Sequence, residues 1–122
     1  MQYLLLIYGA EGEWDSRSED EREAIYQEFY ALSNDLREQG KLVSANELQP
    51  TATATTVAVR DGETTVTDGP FTETKETLGG YYLIEAESLD EAIEWAARIP
   101  SARDGSIEVR PVVMRNVEAE VS

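Results

Sequence analysis

The chain predicts a single α+β domain in which two helices lie on one face of a four- or five-stranded sheet. Three observations carry that prediction. The apolar pattern changes period along the chain in the order β-α-β-(hairpin)-β-α-β. Two Ser-x-x-Glu boxes, Ser18 to Glu21 and Ser88 to Glu91, each open a helical run. A length of 122 residues suffices for one core and leaves little room for a second. The domain is placed at residues 1–113, with 114–122 as a frayed tail.

The elements follow in order. Tyr3 to Tyr8 is apolar without alternation, the mark of a strand buried on both faces and therefore central in its sheet. A helix is expected from about Glu19 to Gln39, stopping at Gly40, with Ile25, Phe29, Leu32 and Leu36 as its apolar stripe and Tyr26 and Tyr30 to one side. Lys41 to Leu48 reads as a second strand, ended by Pro50. Thr55 to Thr67 reads as a hairpin, because Asp61-Gly62 suits a two-residue turn with positive φ. That turn sets Arg60 opposite Glu63, Val59 opposite Thr64 and Val57 opposite Val66. Thr72 to Leu78 is read as a polar connection and Tyr81 to Ala86 as the next strand. The second helix runs to about Ile99, with Leu89, Ile93 and Ala96 as its core stripe and Trp95 off it. Ser106 to Val113 closes the fold, with Ile107 and Val109 on one face and Glu108 and Arg110 on the other.

Two helices cannot cover both faces of such a sheet. The first strand is apolar on both faces, and Tyr82 and Ile84 back onto Tyr81 and Leu83, so a surplus apolar face is left over. A symmetric partner is its simplest cover, and a homodimer packed sheet against sheet is expected.

Composition excludes several functions. Ten Lys+Arg against 25 Asp+Glu give a formal net charge of −15, which repels nucleic-acid phosphates and anionic membranes, so neither is an expected partner. There is no Cys and no His. Thiolate metal sites, Cys nucleophiles and the commonest general base are thereby removed, and no metal or cofactor is expected. The carboxylates at Asp15, Glu19, Asp20 and Glu21 lack the ligand spacing of a calcium loop, and Gly79-Gly80 lacks the context of a phosphate cradle. Only Lys41 and Lys75 are lysines, and an acidic surface with Arg preferred suits a salt-adapted cytoplasm; a GC-rich genome would give the same preference. The opening residues lack a basic region and a cleavage site, and a membrane span takes roughly 20 apolar residues, so a soluble cytoplasmic protein is expected.

The segment Asp68-Gly69-Pro70-Phe71-Thr72-Glu73-Thr74-Lys75-Glu76-Thr77-Leu78-Gly79-Gly80-Tyr81-Tyr82-Leu83-Ile84-Glu85 gathers turn, charged and aromatic residues between strands. Its plain structural account has Phe71 filling the core and Glu73 to Glu76 solvated. The segment resembles the signature of the DGPF branch of the YCII-related family. The opening YLLLIYG, the stretch from Ala54 to Gly62 and the closing Gly105 to Pro111 extend the likeness over nearly the whole chain. The resemblance implies a ferredoxin-like antiparallel fold dimerising into an α+β barrel, and a link to extracytoplasmic-function sigma factors. The His–Asp pair proposed for other YCII-related proteins has no counterpart in a chain without histidine.

Asp68, Glu73 and Lys75 of the signature, with Tyr82, Arg60 and Arg110, form the candidate ligand-binding set. Arg offers a planar fork for a small polar or anionic ligand, and Tyr82 or Tyr8 an orienting hydroxyl. Three functions compete. The first is a non-catalytic dimeric module that binds a small molecule or a protein and works beside a sigma factor. The second is an enzyme of the dimeric barrel type, with Glu73 or Asp68 as base and Arg110 holding an anion; it requires a carboxylate buried enough for its pKa to rise. The third is a structural subunit assembling through its acidic surface and Trp95.

Overall fold

The computed structural model describes residues 1–115; the frayed tail expected over 114–122 lies mostly outside them. The strands are β1 (Gln2–Ala10), β2 (Leu42–Glu47), β3 (Thr55–Arg60), β4 (Glu63–Asp68), β5 (Glu76–Glu85) and β6 (Ser106–Pro111). The helices are α1 (Glu19–Glu38) and α2 (Leu89–Ala97), with single 3-10 turns at Thr51–Thr53 and Pro100–Arg103. Four strands form an antiparallel sheet in the order β2-β5-β1-β6, the ferredoxin-like arrangement. β1 is central, as its unbroken apolar run requires. No helix among the described residues is long and apolar enough to cross a membrane.

α1 starts where its sequence says it should. The Ser18 hydroxyl accepts from the Glu21 N–H at 3.1 Å, and the Glu21 carboxylate reaches back to the Ser18 N–H at 3.4 Å. At α2 only half of the box forms. Ser88 accepts from the Glu91 N–H at 3.1 Å, but the Glu91 carboxylate turns instead to the Glu87 N–H at 3.0 Å.

The core lies between the sheet and the two helices. Tyr3 and Leu5 of β1 and Tyr82 and Ile84 of β5 face Leu32 and Leu36 of α1 and Ala92, Trp95 and Ala96 of α2, with Ile99 just beyond. Leu5, Leu36, Ile84 and Ile99 are completely buried, each worth about 2 kcal/mol by removal from water. The phase of α2 differs from expectation. Trp95 is core, whereas Leu89 and Ile93 are half-exposed. The buried positions 92, 95, 96 and 99 make a regular helical stripe whose two alanines let the helix sit close to the sheet.

Two further expectations are corrected. β5 begins at Glu76 rather than Tyr81, because its polar and glycine-rich first half pairs with β1 from Ala10 to Ile7. Phe71 does not fill the core; it is 86% exposed. The β3–β4 hairpin keeps the register set by Asp61-Gly62, both residues having positive φ, with Val57 opposite Val66 and Arg60 opposite Glu63. It forms its own two-stranded sheet instead of extending the main one. Val57, Val59 and Val66 are therefore all more than half exposed.

The face of the main sheet away from the helices carries Leu4 and Leu6 beside Leu83 and Tyr81, and alongside them Glu108 and Arg110. These four apolar side chains are only half-buried in the single chain. The predicted surplus of apolar surface is present.

Candidate functional site

The signature residues do not meet. Asp68 ends β4, paired with Thr55, and is exposed on the separate hairpin. Arg60 lies at the tip of that hairpin, donating to the Val59 carbonyl at 3.0 Å. Glu73 and Lys75 sit exposed in the connection to β5. Arg110 is on the open sheet face, level with Leu4, in an ion pair with Glu108. Tyr82 points the other way, into the core, with its hydroxyl 2.8 Å from that of Ser33.

Of the six, Tyr82 alone lines the main cleft, a cavity of about 890 Å³ between the first half of α1, residues 10–17 and the ends of β1, β2 and β5. Its cause lies in the helix. α1 is fully buried at Leu32 and Leu36, but Phe29 and Ile25, one and two turns earlier, are only partly covered. The helix lifts from the sheet toward its N-terminus, and the gap is the cleft. Gly80 forms part of the wall because a side chain there would strike the Asn46 carbonyl, 2.9 Å from where its Cβ would stand.

The lining is aromatic. Trp14 meets Tyr26 edge to face with centroids 5.1 Å apart, Tyr26 stacks on Tyr30 at 6.3 Å, and Phe29 stacks on Tyr82 at 6.5 Å. The polar groups are fewer. The Tyr26 hydroxyl donates to the two Glu47 oxygens at 3.3 and 3.4 Å. Burial, and then the nearby Glu47 charge, push the Tyr26 phenol upward. Burial also raises Tyr82, and its hydrogen bond with Ser33 partly offsets that. On the opposite face of the sheet, hydrogen bonds with Ser44 and with Asn46, whose amide donates at 2.9 Å, hold the Tyr81 phenol down.

Charge at the mouth is largely committed. Arg17 bridges Glu13 at 3.2 Å and Asp104 at 2.9 Å, and Arg103 pairs with Glu28 at 2.6 Å. Arg22 donates to the carbonyls of Trp14 at 3.2 Å and Asp15 at 3.0 Å, tying the loop that carries Trp14 to the helix. Asp35 and Glu91, whose acidity is shifted, both move down, and neither lines the cleft. No three acidic side chains among the described residues converge as metal ligands.

Trp14, Tyr26 and Glu47 were not singled out from the sequence as site residues. Tyr26 was visible as an aromatic beside the α1 stripe, but Trp14 lies in a loop with no periodicity to orient it.

The profile of the YCII-related domain matches residues 1–116. The chain belongs to the YCII-related family. An uncharacterised protein of Rhizobium meliloti (strain 1021) is 41% identical over 116 residues, 93% of this chain and 94% of that protein. Among solved structures, 5-chloro-2-hydroxyhydroquinone dehydrochlorinase (TftG) from Burkholderia phenoliruptrix AC1100, in complex with 2,5-dihydroxybenzoquinone, superposes with a TM-score of 0.55. It is 18% identical, and the likeness covers 96% of this chain and 98% of that one. At that identity the similarity establishes the shared fold. Within the YCII-related fold, the signature divides in two: its first half closes the hairpin, and Thr77 to Tyr82 builds a wall of the cleft.

Proposed function

We propose that this YCII-related protein is a small-molecule-binding module whose ligand lies in the cleft under the first half of α1. The observation that carries the reading is a cavity of about 890 Å³ walled by clustered aromatic rings, within the size range of ligand sites. Trp14, Tyr26, Phe29 and Tyr82 supply flat apolar faces, and the Tyr26–Glu47 pair supplies an oriented polar end. A thermal-shift screen of small aromatic and polar metabolites tests it, since a ligand that binds only the folded chain raises its melting temperature. Hits must lose their shift in Tyr26→Ala; hits that ignore this substitution place the ligand elsewhere.

An enzyme is the second reading. It is favoured by the phenol–carboxylate contact between Tyr26 and Glu47, a pair able to exchange a proton with a bound substrate. The structural neighbour TftG is named as a dehydrochlorinase, which fits the same reading. In this form Glu47 takes the acid–base role first assigned to Glu73 or Asp68, and no histidine is needed. Turnover of a thermal-shift hit by the native chain but not by Glu47→Gln would move the assignment from module to enzyme. The Trp95-mediated assembly reading has no surface to use, because Trp95 is buried.

We further propose that the module is a homodimer formed through the open sheet face. Leu4, Leu6, Tyr81 and Leu83 form a half-buried apolar patch on the face away from the helices, which a second molecule could cover. Sedimentation at micromolar concentration should give twice the chain mass for the native protein and a monomer for Leu83→Arg. The DGPF-type signature supports a place beside a sigma factor; a pull-down from the native host that recovers no transcription component overturns that link.

A further inference from the structure

We infer that the cleft selects an organic cation, a protonated amine or quaternary ammonium carried on a small apolar body. The inference rests on the cleft being the ligand site and adds the charge of what it takes.

Three carboxylates border the cleft without a cationic partner among the described residues. Glu47 accepts only the Tyr26 hydroxyl, Glu11 only the Thr51 hydroxyl, and the Asp15 side chain makes no ion pair. The lining arginines are already spent. Arg17 is held between Glu13 and Asp104, and Arg103 is held by Glu28. Arg22, which does not line the cleft, has its guanidinium on the Trp14 and Asp15 carbonyls, and its charge acts weakly against the other influences on the Tyr26 phenol. An anion entering here meets carboxylates without ion pairs of their own, and Arg17 and Arg103 could reach it only by leaving an existing ion pair. The field of a chain with net charge −15 acts in the same direction.

The kind of cation follows from the geometry. The acidic groups do not converge, so a small metal ion finds no ligand shell. The aromatic rings do cluster: Trp14 and Tyr26 present planes 74° apart, and Tyr30 stacks on Tyr26. Two ring faces at a steep angle beside a carboxylate suit a bulky, weakly hydrated cation, which gains from the ring quadrupoles and from Glu47 together. A charged ligand should therefore bind about ten-fold or more tightly than a neutral one of the same shape.

The test uses three probes that share one aromatic body: benzyltrimethylammonium, benzyl alcohol and benzoate. Binding is read by calorimetry and by the emission of Trp14, with Trp14→Phe identifying its signal against that of Trp95. The expected result is the order cation, then alcohol, then benzoate, with a cation preference of about ten-fold. Glu47→Gln should cut that preference to about three-fold or less, read as the ratio of cation to alcohol affinity within each protein, and added KCl should lower the same ratio in the native chain. Alcohol binding equal to or tighter than cation binding overturns the charge selection and leaves the cleft as the ligand site. A preference that survives Glu47→Gln intact overturns the role given to Glu47. No response to any probe, in calorimetry or in Trp14 emission, counts against the cleft itself.

Discussion

The indole N–H of Trp95 donates to the carboxylate of Glu91 at 3.0 Å, one helical turn away. Lys41, at the approach to β2, reaches the same oxygen at 2.8 Å. A core tryptophan, a helix start and the edge of the sheet are thus joined at one acidic group. The Glu87 backbone N–H, Lys41 and Trp95 hold the Glu91 carboxyl well down, at about 2 instead of 4.5.

That depression sets a direction for acid unfolding. A carboxyl whose pKa falls on folding adds stability that is complete above its unfolded value of 4.5 and is lost as pH falls through about 2. Glu91→Gln should therefore be less stable than the native chain by about 2 kcal/mol near neutrality. The difference should shrink steadily below pH 4.5. Urea unfolding of both proteins across that range measures it; a gap that stays constant would remove Glu91 as the cause.

Gly105 is a second point of constraint. A Cβ there would stand 2.1 Å from the Tyr8 carbonyl oxygen and 3.2 Å from the Gly9 Cα, both backbone atoms that cannot swing aside. Gly105→Ala should lower stability by about 3 kcal/mol, seen as a fall in melting temperature of roughly 10 °C. Alanine at Gly9, which has nothing within 4 Å, is the matched control and should change little.

The valines of the hairpin and the aliphatic residues of the core should respond very differently to truncation. Ile84→Ala empties a completely buried site and should cost about 3–4 kcal/mol. Val59→Ala, at a position 57% exposed, should stay within about 0.5 kcal/mol in dilute single chains. Chemical denaturation of the two variants at low concentration makes the comparison.

Much of the fold was legible, for reasons that differ by element. Asp61-Gly62 determined the hairpin register pair by pair, because a two-residue turn with positive φ leaves no freedom. Ser18 and Glu21 marked the start of α1, because their hydrogen bonds are local. α2 was misphased because Leu89 and Ile93 outweigh Ala92 and Ala96 in hydrophobicity, whereas packing close to a sheet rewards small residues. The first half of β5 could not be read, since Glu76 to Gly80 owes its extended form to pairing with β1 and not to its own propensity. The signature pointed to one site, yet its residues are divided between the hairpin, a connection, the core and, through Tyr82, the cleft. Trp14 is held at the cleft in part by Arg22, which takes the Trp14 carbonyl from the next helix, a contact between residues eight apart that no pattern announces.

The hairpin stands apart from the four-stranded sheet, its own base closed where the Gly69 N–H meets the Ala54 carbonyl at 2.7 Å and the Thr56 hydroxyl meets the Gly69 carbonyl at 2.7 Å. A two-stranded ribbon with little else against it is barely stable by itself. The chain should accordingly keep two clocks in deuterated water: amides of β1 and β5 exchange only through global unfolding, while those of β3 and β4 exchange through separate local opening. If two chains meet with the hairpin valines between them, the fast clock slows as protein is added and the slow one keeps its own time longer still. Reading both clocks against concentration would measure assembly from within a single strand pair.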